Sequence, residues 1–135
     1  MPDISSKPDN NLPAELPSGQ PSNSISVTLT VNPAEAHAGT QLDIRGTVSN
    51  LGDSVIDTRA WVSVLLVDGS PCQTWALAIA NGLRDPRESA LPPQQRVELR
   101  RVLPAATVLP PGRGTHVLIL EVLGTRSPAV SVKQL

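Results

Sequence analysis

The chain has 135 residues, 39% of them hydrophobic, with 9 Gly, 14 Pro and a formal net charge of −1. That length suits one domain with a working core, and near-neutrality excludes a global field toward nucleic acid or anionic membrane. Its aromatic residues are Trp61 and Trp75, so the core is aliphatic, and the single cysteine, Cys72, excludes an intrachain disulfide or a Cys-based zinc site.

Residues 1–23 form a separate compositional unit. Pro2, Pro8, Pro13, Pro17 and Pro21 punctuate polar sequence, and Asp3, Asp9 and Glu15 against Lys7 leave it at −2. Proline removes amide donors and favours extended geometry, so this stretch reads as an extended or disordered arm. If the arm orders on a partner, Ile4, Leu12 and Leu16 are its anchors. It lacks the basic and apolar regions of a secretory signal. No apolar run in the chain approaches the roughly 18 residues of a membrane span.

From residue 24 the pattern changes to period two. Ile25, Val27, Leu29 and Val31 alternate with Ser26, Thr28 and Thr30, as a half-buried strand requires. Seven such strands are expected, near 24–32, 41–49, 58–67, 72–80, 95–103, 115–123 and 129–134. The spacers carry turn chemistry, including Asn50-Leu51-Gly52-Asp53, Asp68-Gly69-Ser70-Pro71 and Pro110-Pro111-Gly112. The expected fold is an all-β, seven-stranded immunoglobulin-like antiparallel sandwich over 24–135, preceded by the arm 1–23. The long irregular stretch 81–94, with Pro86, Pro92 and Pro93, reads as a crossing between sheets.

Face parity in the hairpin around Asp68-Gly69 gives a finer expectation. A two-residue loop, centred on Asp68-Gly69 or on Gly69-Ser70, puts Val62, Val64 and Leu66 on one face with Trp75, Leu77 and Ile79, and a three-residue loop reverses the relation. That set has no polar member and is assigned to the core, which turns Trp75 inward. The opposite face holds Trp61, Leu65 and Val67, a contact strip unless the 81–94 loop or the arm covers it.

No catalytic constellation is legible. His37 and His116 lack HxH or HExxH spacing and read as ordinary surface or strand-end histidines. The hydrolase elbow G-x-S-x-G is absent, and Asp43, Asp53, Asp57 and Asp68 are too dispersed for a calcium loop. The expectation is therefore no enzyme, no cofactor and no metal. Arg96, Arg100 and Arg101 form a basic stretch, with Arg84 and Arg87 upstream. It is either a contact for an anionic partner or a solvated face with Glu98 interleaved, and the second reading is favoured. Stacking of nucleic acid needs exposed aromatics, and only Trp61 offers one.

Three segments carry a family likeness. They are Leu42-Asp43-Ile44-Arg45-Gly46-Thr47-Val48-Ser49-Asn50-Leu51-Gly52, with its N-x-G ending; Val64-Leu65-Leu66-Val67-Asp68-Gly69; and Leu109-Pro110-Pro111-Gly112 followed by His116 to Val122. Together they resemble bacterial and phage immunoglobulin-like modules of the CARDB or fibronectin-type-III kind, over roughly residues 25–134. The tyrosine expected near the start of the sixth strand of immunoglobulin domains is replaced by Thr115 and His116. The resemblance implies adhesion, cell-surface architecture or particle assembly. The leading expectation is a non-enzymatic module docking on a larger protein assembly, as a virion or cell-surface accessory protein, with the arm as anchor. The alternatives are a proteinase inhibitor presenting the 81–94 loop, and a carbohydrate or ligand binder using Trp61.

Overall fold

The computed structural model describes residues 24–135, so the expected arm anchors Ile4, Leu12 and Leu16 lie outside the described residues. Over this span the chain forms β1 (Ile25–Asn32), β2 (Glu35–Ala36), β3 (Gln41–Asn50), β4 (Val64–Val67) and β5 (Ser70–Pro71). Helix α1 (Gln73–Asn81) follows, then β6 (Arg96–Pro104), the single turn α2 (Ala105–Val108), β7 (Gly114–Val122), β8 (Thr125–Arg126) and β9 (Val130–Gln134).

Two sheets face each other. One has the order β1-β3-β6, antiparallel throughout; the other runs β2-β9-β7-β4-β5, with β8 paired to β7. The chain leaves the first sheet after β1 and joins the second as β2, parallel to β9. The alternation read from the sequence sets the core directly. Ile25, Val27, Leu29 and Val31 point inward beside Leu42, Ile44, Val48, Val97 and Leu99, and meet Leu118, Leu120, Val122 and Val132 of the facing sheet. Each such side chain, fully buried, contributes about 1.5–3 kcal/mol. Gly46 is the gap in this inward row of β3. A Cβ there would lie 2.2 Å from Leu120 Cδ2, so the facing leucine occupies the space a side chain would need.

The hairpin turn is the two-residue Asp68-Gly69 loop, both residues at positive φ (51° and 85°), with Val67 opposite Ser70. These values suit a primed turn, where glycine takes positive φ without a Cβ penalty. The expected return strand, however, ends at Pro71, and the stretch expected as a strand over 72–80 is α1. Its large residues alternate with alanine, which mimics period two, yet Ala76, Ala78 and Ala80 favour helix and Trp75 and Ile79 lie one turn apart. Trp75 and Ile79 are buried as expected, while Leu77 turns outward at 55% exposure.

The segment expected as a strand over 58–67 is also shortened. A 3₁₀ turn occupies Ala60–Val62, and pairing begins at Val64. The parity assignment fails here: Leu65 and Val67 are core residues at 0% and 5% exposure, and Val62 is 53% exposed. Leu65 and Val67 sit opposite Leu120 and Leu118 of β7, on the inner face. Leu66, on the other face, is buried as well, so β4 is apolar on both sides and its composition carries no sign of which side is inward. The 81–94 stretch holds a 3₁₀ turn, Pro86–Glu88, closed by a capping box between Asp85 and Glu88. It is tied back by Thr58, whose amide and hydroxyl both donate to Glu88 O, and by a bridge between Ile56 and Leu91.

Candidate interaction surface

Of the expected strip, only Trp61 remains near the surface. It is half-buried against the core, and the guanidinium carbons of Arg59 and Arg84 lie 5.9 and 5.4 Å from its ring centre. Both distances fall within cation–π range. Arg59 is set by the turn that begins at Asp57, whose carboxylate accepts the Arg59 amide at 2.9 Å. Arg84 follows α1, in the segment Gly82-Leu83-Arg84. Among the described residues neither guanidinium has a carboxylate partner.

Three exposed apolar residues lie on the elements that carry this pair and on the helix packed against them: Val62 follows Trp61 on the 3₁₀ turn, Leu83 precedes Arg84 at 96% exposure, and Leu77 is on the outer face of α1. The helix carries no charged residue, so its outer face offers Ala76, Leu77 and Ala80 to solvent. The sequence concealed this surface because α1 was expected as a strand. Its one legible signal was the uncharged run Gln73–Asn81.

Arg101 supports the same region from below. Its guanidinium donates to Ala78 O at 3.1 Å and to Leu83 O at 3.4 Å, placing a cation at the C-terminal end of α1 where helix carbonyls are unpaired. Gly82 makes room for it: a Cβ there would lie 2.8 Å from Ala78 O and 2.3 Å from Arg101 Nη2. The three arginines read from the sequence as one basic stretch, Arg96, Arg100 and Arg101, therefore have three different settings. Arg100 makes a two-bond ion pair with Asp43, which Arg45 also clasps, so Asp43 is held well below the usual carboxylate range, first by Arg100 and then by Arg45. Arg96 alone is exposed without an acidic partner among the described residues. It borders two shallow polar clefts of about 400 and 460 Å³ on the outer face of the first sheet.

The histidines also separate. His37 is exposed on a turn, its amide bonded to Thr40 Oγ1. His116 is buried and lies 2.6 Å through Nδ1 from Asp68 Oδ2. The Asp68 carboxyl is held low by that contact and by the Val117 amide. Nε2 of His116 accepts from the Gln134 amide nitrogen at 3.1 Å, and the same nitrogen faces Gly112 O and Pro110 O at 2.6 and 2.7 Å. Both ring nitrogens are thus committed to joining the β4–β5 turn, the Pro110–Gly112 loop and the end of β9. Among the described residues no three His, Cys, Asp or Glu side chains converge as a metal site.

Asn50, of the N-x-G ending, is a structural node. It is 1% exposed; its amide donates to Ser54 O at 2.8 Å and Leu91 O at 3.0 Å, and its carbonyl accepts from Gly52 N at 2.9 Å.

The fold is an all-β sandwich. Comparison with solved structures finds the CARDB domain of a Pyrococcus furiosus protein, described in complex with di-metal ions, at a TM-score of 0.55 and 12% identity, covering 84% of this chain and 89% of that one. An alkylpurine DNA glycosylase from Pseudomonas fluorescens matches at a TM-score of 0.56 and 14% identity, and a β-glucosidase from Erythrobacter marinus at 0.56 and 14%. Here 83% and 84% of this chain correspond to 30% and 16% of those longer proteins. These likenesses define an immunoglobulin-like architecture. No known protein family and no curated protein sequence matches the chain.

Proposed function

We propose that this protein is a non-enzymatic interaction module that docks on a larger protein assembly, of the virion or cell-surface accessory kind, with residues 1–23 as an anchor. The observation that carries this reading is the surface around Trp61. Two guanidiniums without carboxylate partners among the described residues flank an indole, on elements that also expose Val62, Leu77 and Leu83, and such a mixture of aromatic, arginine and aliphatic groups is the composition of contact surfaces. It complements acidic, leucine-bearing sequence. The commitment of both His116 nitrogens to structural bonds supports a scaffold role for the residue that most resembles a catalytic group. The arginines over Trp61 occupy positions a stacking sugar would need, which disfavours the carbohydrate reading.

The test is to express the tagged full chain in its native host and measure the fraction that co-sediments with large particles. Arg59→Glu/Arg84→Glu and deletion of residues 1–23 are each expected to lower that fraction at least tenfold while the thermal transition is retained. Unchanged co-sedimentation of both variants refutes the reading. A second reading, presentation of Leu83 to a protease, draws on that side chain's 96% exposure on a loop held by Arg101. Absence of inhibition across a protease panel removes it.

A further inference from the structure

The two sheets treat their edges differently. In the second sheet the edge strands β2 and β5 are two residues long, too short to template pairing. In the first sheet both edges are long, and their backbone hydrogen bonds can be assigned. Leu51 N donates to Ser24 O at 2.7 Å and Asn50 N to Gln95 O at 2.8 Å. With the observed registers, odd-numbered residues of β3 bond to β1 and even-numbered ones to β6. Residues 96, 98, 100 and 102 of β6 therefore direct their N–H and C=O groups outward, as do Ile25, Val27, Leu29 and Val31 of β1.

The β6 edge is blunted. Arg87 Nη1 donates to Arg96 O at 3.4 Å and Arg101 Nη1 to Arg100 O at 2.6 Å, and the strand carries Arg96, Glu98, Arg100 and Arg101. None of these devices protects β1. Its eight residues, ISVTLTVN, include no charge, proline or glycine, and their pairing with β3 is unbroken from end to end. Among the described residues its four outward N–H and four outward C=O groups have no partner.

We infer that β1 is a pairing edge for β1 of a second copy of this chain, joined antiparallel about a twofold axis at Thr28. With that centre Ile25 meets Val31 of the second copy and Val27 meets its Leu29, so each outward N–H finds an outward C=O and eight backbone bonds close. Thr28 then faces Thr28, and Ser26 faces Thr30, in pairs that carry no like charges. The contact is isologous and terminates at two copies, giving a continuous six-stranded sheet. Another registry leaves outward groups unpaired. The chain's own residues 1–23 lack the alternating β-branched pattern of a strand and include five prolines, whereas a second β1 supplies the full complement of N–H and C=O groups. The inference is independent of the docking surface at Trp61, which lies on other elements.

Two measurements on the full chain decide it. Under mild oxidation Thr28→Cys is expected to form a covalent dimer in several-fold higher yield than Ser26→Cys or Thr30→Cys alone, while Ser26→Cys/Thr30→Cys matches it; Cys72 is buried and does not compete. Amide exchange at Ile25, Val27, Leu29 and Val31 is expected to slow as protein concentration rises, with Ser26, Thr28 and Thr30 protected throughout. Equal crosslinking of the three single variants overturns the pairing. So does free exchange of the odd-numbered amides at millimolar protein. Protection of those amides that does not change with concentration assigns the edge to the chain's own sequence and overturns it as well. Loss of particle binding in Arg59→Glu/Arg84→Glu with this crosslink intact separates the two proposals.

Discussion

Replacing Asn50 tests whether the N-x-G ending is a structural node, because one buried amide there joins three loop positions. Asn50→Ala removes two donated bonds, to Ser54 O and Leu91 O, and one accepted bond, from Gly52 N. Leu91 O keeps a second donor in Ile56 N, whereas among the described residues Ser54 O and Gly52 N have no other partner. At about 1 kcal/mol net for each bond, the expected loss is about 3 kcal/mol. With a urea slope of about 1.5 kcal/mol/M for a domain of this size, the midpoint falls by about 2 M at unchanged slope. Asn50→Asp is the sharper variant. It keeps the shape but turns a donor pair into a carboxylate facing two carbonyl oxygens in a buried site, which raises its folded pKa above the unfolded value of about 3.9. A raised folded pKa contributes stability that is present below the unfolded value and lost as pH rises. Asn50→Asp is therefore expected to be more stable at pH 4 than at pH 7, and at pH 7 less stable than Asn50→Ala. A loss below 1 kcal/mol for Asn50→Ala, or a stability of Asn50→Asp that rises with pH, refutes the assignment of Asn50 as the node.

Gly46→Ala forces a methyl group into Leu120 and is expected to cost about 1–3 kcal/mol by overpacking; in Gly46→Ala/Leu120→Val the two effects should be less than additive in chemical denaturation, and strict additivity would show that they do not touch. Asp43 has its folded pKa depressed, so its contribution is present above the unfolded value and disappears as pH falls. Thermal melts of Asp43→Asn should accordingly show a shallower decline between about pH 5 and 2 than the parent, and parallel curves would count against the Arg100–Asp43–Arg45 clasp. Gln134→Leu removes the amide shared by His116, Pro110 and Gly112, and about 2 kcal/mol of stability should go with it; a melt unchanged within 1 °C would contradict the clamp.

Much of the first sheet was legible because its strands have one polar and one apolar face. β1, β3 and β6, and β7 and β9 of the second sheet, fall within two residues of their expected bounds, and a tight turn within Asp68-Gly69-Ser70 followed from the turn chemistry of those residues, its centre at Asp68-Gly69 being decided by the structure. The candidate surface was less legible. Trp61 was singled out, but Leu65 and Val67 belong to the core, while Arg59 and Arg84 are brought over its ring by the turns that flank the 3₁₀ segment and α1. Period two and period 3.6 coincide over a short run of alternating alanine and large apolar residues, so 72–80 did not declare itself as a helix.

Composition and alternation by themselves determined the all-β class and the aliphatic core; Trp75 is inward as expected, but on a helix and not by the strand parity from which that was expected. Only the tertiary structure decided which face of β4 is inward, since both faces are buried, one of them against β7's inward row. Tertiary packing also decided that α1 is a helix, by lodging Trp75 and Ile79 inside and leaving Leu77 out. The same holds for the open edge of β1. Its alternation was visible from the first reading, but whether a strand is central or an edge depends on which strands lie beside it, and that is a property of the assembled sheet.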